Sequence, residues 1–398
     1  MSRQRILVVG GGTNQVSLVL EARNRGFEVI VTDMFSNPPC AELADRFFQV
    51  DTTDKDATLR VAIQSNISAV ITDQSDVAVP TCAFIAESLQ LPGIGFETSL
   101  RFTNKLVMRS VIKSGLSKLI PDSIFFKNAA LLLDFLATSV HDRTFYLIKP
   151  INSQGSKGVA RLTRGNDTDI IQQAFREARG HGVLLEEFID GEEFSVEAFV
   201  VGGVVFNLAV TRKFHYPSNG CIDIRNTHLG DVGLDLERKL FEANTQIVNH
   251  LGLETGSTHA EFKVNETGLY LMEIAARGGG GNISGKIIPY LTGFSPTAAL
   301  IDFAIGSPVT VSAMIYRDRF SVMRFFDFAP GVVKQIHRKN GHQPGILHFE
   351  MNVSNGDVLR AVASSRDRPG YFIVAGNDRD HVLDQERQLL KSVIVEYE

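Results

Sequence analysis

His259-Ala260-Glu261-Phe262-Lys263-Val264, then Asn265-Glu266-Thr267-Gly268, then Leu269-Tyr270-Leu271-Met272-Glu273-Ile274 reads as an antiparallel hairpin. Apolar and polar side chains alternate on both arms, and the segment between them has the residues of a tight turn. With a three-residue loop of Glu266, Thr267 and a left-handed Gly268, Glu261 falls directly opposite Glu273. Their Cβ atoms then stand roughly 4.5–5.5 Å apart on one face. Two ionised carboxylates at that separation repel, so one takes up a proton or a hard divalent cation bridges them. A slip of one residue would throw the pair onto opposite faces. The competing reading is a solvated hairpin with two unrelated surface glutamates. Arg277 and the run Gly278-Gly279-Gly280-Gly281 weigh against it, because a guanidinium forks onto oxyanions and glycines let backbone amides approach closely.

The rest of the chain is compatible with a small-molecule enzyme. Its 398 residues, 44% hydrophobic, can bury a large core spread over two or three domains. A net charge of −5 argues against a dominant partnership with nucleic acid or an anionic membrane. Cys40, Cys82 and Cys221 are far apart and form no CxxC or Cys/His cluster, so neither a disulfide framework nor a zinc site is expected. The apolar run Ile6-Leu7-Val8-Val9 is too short for a signal peptide, and no stretch reaches the length of a membrane span. A cytoplasmic location is expected.

Strands and helices alternate over 6–95, which predicts a parallel sheet covered on both faces. Gly10-Gly11-Gly12 closes the first strand and Asp33 ends the second, the beginnings of a dinucleotide-binding pattern. The third glycine of GxGxxG would fall where Gln15 stands, so a tight strand-to-helix turn is the better reading. A single helix is expected over 98–114, with Lys105 in it. A second unit over 124–201 holds strands at 145–149, 159–163 and 183–186 and a helix at 167–179, followed by a hairpin turning on Gly202-Gly203. Residues 211–231 turn polar and irregular, the mark of a functional or poorly ordered loop. Beyond Pro308 the chain reads as mostly strands, with a helix at 379–391.

Three further segments carry chemistry. Ser153-Gln154-Gly155-Ser156-Lys157-Gly158 joins two strands, so it is no P-loop, but such a loop can fold over phosphates. Lys149, four residues upstream, is a basic residue at a strand end facing the same space. Leu184-Leu185-Glu186-Glu187-Phe188-Ile189-Asp190-Gly191-Glu192-Glu193 passes from an apolar strand into an acidic turn. Such a crossover can offer backbone groups to a base edge and an acid to a ribose, though an ordinary strand end has the same composition.

Taken in order, Lys105, Lys149-Pro150, the Gly/Ser loop, Glu186 to Glu193, Glu261 and Glu273-Ile274-Ala275-Ala276-Arg277 resemble the ATP-grasp superfamily, collinearly over nearly the whole chain. The resemblance implies a multidomain α/β and α+β fold. A Rossmann-like pre-ATP-grasp parallel sheet over 1–97 would precede a two-lobed ATP-grasp domain over 98–306, its lid lobe about 124–201, and a small mostly-β C-terminal unit over 307–398. It also implies roles. Lys105 and Lys149 would contact nucleotide phosphates, and Ser153, Gly155, Ser156 and Gly158 would belong to the lid loop. Glu186, Glu187, Phe188 and Ile189 would read adenine, Glu193 would hold the ribose, and Glu261 and Glu273 would hold Mg²⁺, with Mn²⁺ able to replace it. Arg277 would steady the transferring phosphoryl group, assisted by the glycine amides and Asn282, while His259 would sense substrate or merely fill the face.

Many members have asparagine two residues after the second metal glutamate, where this chain has Ala275. With His259-Ala260-Glu261 before it and Arg277 after, that alanine looks instead like the L-amino acid ligases that make dipeptides. The implied activity is ATP-driven joining of a small-molecule carboxylate to an amine through an acyl phosphate, releasing ADP and phosphate, with no nucleic acid or membrane partner. A homodimer is common among such proteins. The alternatives are carbamoyl-phosphate-synthetase-like or carboxylase-like chemistry on bicarbonate, which Ala275 disfavours, and a nucleotide-binding regulatory protein. The regulatory reading would require loss of Lys149 or of a metal carboxylate, and both carboxylates and the lysine are present.

Overall fold

The computed structural model describes residues 3–138, 145–153, 155, 157–163, 167–217, 219–312, 315–338 and 345–398. Strand Arg5–Val9 buries Ile6, Leu7, Val8 and Val9 completely and runs parallel to Glu28–Asp33 on one side and Ala69–Ile71 on the other. A run buried on both faces is what a parallel sheet clad by helices demands. Arg46–Gln49 completes this sheet at its edge. That strand is half exposed and carries little apolar periodicity, so the sequence offers no sign of it.

The largest sheet has eight strands, each antiparallel to its neighbours, in the spatial order Gly268–Ala275, Gly256–Asn265, Glu192–Val201, Val204–Tyr216, Asn219–His228, Phe320–Phe325, Gly370–Gly376 and Ile346–Met351. Its last three strands come from the C-terminal part of the chain, which thus extends the central sheet and also forms a small three-stranded sheet of its own from Val358–Leu359, Gly331–Arg338 and Val393–Tyr397. Helix Leu234–Leu251 covers the sheet near its first strands, packing Leu240, Ile247, Val248 and Leu251 against Phe194, Phe262 and Ile274. A separate four-stranded sheet, Ser123–Phe126, Val183–Glu187, Phe145–Pro150 and Ala160–Thr163, forms the smaller lobe. Helix Thr168–Ala178 packs on it through Ile171, Ala174 and Ala178.

Three expectations change. Residues 211–231 are not an irregular loop: strand Val204–Tyr216 runs on through them into Asn219–His228. Ile222 and Ile224 are buried in alternation with Asp223 and Arg225, and the polar side chains have ionic partners, Lys213 with Glu193 and Arg225 with Glu386 among them. Charges paired inside a cleft look, in sequence, like charges in solvent. The helix expected over 98–114 is two helices, Phe96–Thr103 and Lys105–Leu116, broken at Asn104. The Asn104 side chain caps the second helix by accepting from the amides of Leu106 at 3.0 Å and Val107 at 3.2 Å.

The hairpin turn also differs. Asn265 pairs with Gly268, leaving the two-residue loop Glu266-Thr267, not a three-residue loop ending on Gly268. Glu261 nevertheless stands opposite Glu273, because the register shifts between Glu261 and Phe262 and leaves Met272 as an extra residue. A β-bulge thus restores the pairing that the shorter turn would have displaced.

Candidate active site

Glu261 and Glu273 open onto a cleft of about 720 Å³ that runs from the C-terminal ends of the parallel strands to the C-terminal unit. Gly155, Glu193, His259 and Arg277 line the same cleft. Lys105, Lys149 and Glu186 to Ile189 are not in its wall, and Ser156 lies outside the described residues.

Each carboxylate of the pair has a cation in place. The Lys213 ammonium sits 2.6 Å from Glu261 and 3.0 Å from Glu193, and the Lys105 ammonium 2.8 Å from Glu273. Lys105 is the first residue of its helix, where the positive end of the macrodipole disfavours a cation, and it is buried. Glu273 and the Ser153 carbonyl, 2.7 Å away, compensate. Burial raises the Glu261 carboxyl, but Lys213 and His259 outweigh it and hold Glu261 well below the usual range. Lys213 is a largely buried cation of the cleft.

His259 bridges two carboxylates. Its Nδ1 bonds Glu197 across the ladder and its Nε2 stands 3.4 Å from Glu261. Burial alone would lower the imidazole; the Glu197 carboxylate reverses this and lifts it to about 9, so the ring is an imidazolium at neutral pH. Glu197 also accepts from the Gly279 amide at 3.0 Å, tying the glycine run to the hairpin.

Arg277 forks onto Asp76 at 2.9 and 3.0 Å. The amide of Gly278 donates to Asp73, that of Gly281 to Asn14 and that of Asn282 to Gln74, so much of the run is docked on the parallel-sheet unit. Asn282 is buried, with φ 66°, and donates to the Tyr371 hydroxyl at 2.7 Å. Gly278 and Gly279 serve close packing: a Cβ on Gly279 would stand 2.7 Å from the Glu197 carboxylate and 3.0 Å from Ile283 Cβ. Gly279→Ala should lose about 1–3 kcal/mol of stability, the usual cost of overpacking, read by urea unfolding. An unchanged midpoint would show that the run can give way.

In the smaller lobe, Glu186 is fully buried between Arg109, at 2.6 Å, and Lys149, at 2.6 Å. Burial raises this carboxyl, yet the two cations prevail and hold it at about 2. The carbonyl of bulged Met272 accepts from Arg109 at 2.7 Å and Lys149 at 3.4 Å, so the bulge joins the lobe to the hairpin. Glu193 meets Lys213 and His215, the latter at 3.1 Å. Phe188 lies with Arg161 4.3 Å from its ring centroid, and Ile189 is buried. Gly158 has φ +73°, and a Cβ there would meet Pro150 and Glu177 at 2.9 Å, which accounts for that glycine by packing. Arg109, Glu197, Asp76 and His215 were not singled out in the sequence; an isolated charged residue in a helix or strand carries no local sign of a distant partner.

The dinucleotide alternative fails on geometry. Asp33 accepts from the amides of Gly11, at 2.7 Å, and Phe35, at 2.9 Å, using a donor that a pyrophosphate would need. Gln15 fills the turn, its amide bonding Thr72 at 3.2 Å and the Asp73 carbonyl.

The donor set at Glu261 and Glu273 fits a hard cation. Magnesium is commonly held by one or two carboxylates plus substrate phosphates, not by a closed protein cage. Among the described residues no group of three or more His, Cys, Asp and Glu gathers for a metal.

A family model described as ATP-grasp domain matches residues 143–286, which hold the lobe, the hairpin and the glycine run. The chain carries an ATP-grasp domain. A second, L-amino acid ligase C-terminal domain 2, matches residues 324–398. The chain is 26% identical over 280 residues to a formate-dependent phosphoribosylglycinamide formyltransferase of Prochlorococcus marinus subsp. pastoris, covering 69% of this chain and 67% of that one. It is 29% identical over 267 residues to dapdiamide A synthase of Enterobacter agglomerans, covering 63% and 62%. It spans between about half and two thirds of the length of these curated relatives. The chain also has the fold of an L-amino acid ligase from Bacillus licheniformis, with a TM-score of 0.80, 19% identity and 100% of each chain covered. No helix among its described residues is long and apolar enough to cross a membrane.

Proposed function

We propose that this chain is an ATP-dependent carboxylate–amine ligase that forms an amide bond through an acyl phosphate, with an amino acid as a substrate and ADP and phosphate as products. The observation that carries this reading is the Glu261/Glu273 pair, set opposite each other on one wall of the cleft that Arg277 and the glycine run also line. The match of residues 324–398 to the L-amino acid ligase C-terminal domain supports the choice of amino acid over bicarbonate.

ATP-grasp enzymes use ATP with a divalent metal. Here Glu261 and Glu273 would hold Mg²⁺, or Mn²⁺ in its place, which supplies charge neutralisation to the phosphates when bound. Phosphoryl transfer asks mainly for positioning and electrostatic stabilisation, and the cations of this cleft are suited to both. Lys105, already at the edge of Glu273, can turn to phosphate oxygens once Glu273 is engaged. Arg277 is fixed by Asp76 in a single orientation, its Nη1 also bonded to the Gly278 carbonyl at 2.9 Å. It is thereby preorganised to face charge on a transferring phosphoryl group or on a tetrahedral oxyanion. An acyl phosphate is readily hydrolysed, which gives a loop through Gly155 and Lys157, at the cleft wall, a role in excluding water.

The test is phosphate release from Mg-ATP with pools of amino acids, with and without bicarbonate. Release that needs amino acids supports the ligase. Release that needs only bicarbonate sinks it in favour of a carboxylase-like reaction, and ATP binding without release in any pool points to a regulatory protein.

A further inference from the structure

An amino acid reaches such a site largely as its ammonium ion, whose pKa lies above neutral pH, and has no nucleophilic lone pair until a proton leaves. The cleft has several carboxylates, and nearly all are committed. Asp76 is paired with Arg277, Glu193 and Glu261 with Lys213, Glu273 with Lys105, and Asp223 with Arg368, while Asp33 accepts two backbone amides. Glu350 is different. It lines the same cleft, and its partner among the described residues is a histidine: Oε2 lies 3.1 Å from His348 Nε2.

That histidine has a defined tautomer. The Lys286 ammonium stands 3.1 Å from His348 Nδ1 and is anchored on the Leu347 carbonyl at 3.1 Å. An ammonium only donates, so Nδ1 accepts and Nε2–H donates to Glu350. The carboxylate is thus held from behind through one oxygen, and no hydrogen bond to its other oxygen occurs among the described residues. Glu350 is also tied to the glycine run of the cleft. It is the cross-strand partner of Tyr371, whose hydroxyl accepts from Asn282, the residue that ends the glycine run begun after Arg277.

We propose that Glu350 receives the ammonium of the amine substrate and takes its proton, with His348 and Lys286 as positioning residues. This rests on the ligase reading above. The proton passes from the ammonium to Glu350, and the freed nitrogen lone pair attacks the acyl carbon of the acyl phosphate. The C–N bond forms as the carbonyl π pair moves onto oxygen. That pair then returns and breaks the bond from carbon to the phosphate oxygen. The nitrogen's second proton leaves with the phosphate as hydrogen phosphate, and Glu350 gives its own proton to solvent.

The experiment compares the parent chain with Glu350→Gln, using the amino acid pool that supports phosphate release. Two nucleophiles are offered in turn: the amino acids themselves, and hydroxylamine, which is largely unprotonated at neutral pH and needs no base. The variant should lose about 10²–10⁴-fold in amide formation, the range for general-base catalysis, while still making acyl hydroxamate. Retention of amide formation overturns the proposal. Loss of hydroxamate as well as amide, in a variant whose melting curve overlays the parent's, overturns it too, since Glu350 would then serve the phosphorylation step. His348→Gln should raise KM for the amine more than it lowers kcat; equal loss with both nucleophiles would deny its positioning role. A parent chain silent in every pool removes the ligase reading, and this one with it, whatever the variants do.

Discussion

Glu273→Gln should lower kcat by at least about 10³-fold while leaving the fold intact, since it removes the charge of one of the two carboxylates proposed to hold the metal for phosphoryl transfer. The substitution is nearly isosteric. Its amide oxygen can still accept from Lys105, which also keeps the Ser153 carbonyl, so no buried cation is stranded. Glu273 is the more exposed partner, with a side chain 36% accessible against 8% for Lys105, so the charge it loses lies at the solvent side of the pair. The paired measurements are phosphate release and Mn²⁺ binding by electron paramagnetic resonance in the presence of a non-hydrolysable ATP analogue. Turnover and Mn²⁺ affinity should fall together while the melting temperature holds. Unchanged Mn²⁺ affinity would refute the metal assignment even if activity were lost.

Glu186→Gln should do the opposite, costing about 3–5 kcal/mol of stability because it leaves Arg109 and Lys149 buried together without their shared anion. That is a large part of the roughly 5–15 kcal/mol by which domains are stable. The parent chain should show the same dependence on acid. The folded carboxyl sits at about 2, below its ordinary value of 4.5, so folding favours the ionised form. This contribution is present above pH 4.5, drains as the pH falls toward 2, and is on the order of 3 kcal/mol. Urea unfolding of both chains at pH 7 and at pH 3.5 checks this: the gap between them should be wide at pH 7 and narrower in acid. Equal stability at pH 7 would show that the trio contributes nothing net.

The sequence exposed the elements whose signals are local. Buried runs such as Ile6-Leu7-Val8-Val9 and the alternation on both hairpin arms depend only on neighbours along the chain. The opposition of Glu261 and Glu273 was legible for a partly mistaken reason, since it comes from a shorter turn plus a bulge at Met272, and a bulge leaves no mark in composition. What stayed hidden involves pairing at long range. Lys213 carries no local sign of its partners, because Glu193 and Glu261 come from two other strands. Glu197 and Arg109 stand in segments whose sequence needs no charge, and only the folded ladder shows what each one meets. Glu186 was noticed for its place before an acidic turn; its burial between two cations belongs to the packing of helix Lys105–Leu116 on the small lobe.

The continuity of the central sheet bears on recombination among related chains. Strand Asn219–His228 is zipped to Phe320–Phe325, which pairs in turn with Gly370–Gly376. A chimaera with a crossover between residues 228 and 320 would inherit mismatched edges along that seam and sever Arg225 from Glu386. A breakpoint between residues 187 and 192 keeps all eight strands of the central sheet within one parent and should yield folded hybrids more often, with Lys213 and Asp223 exchanged as part of the same block.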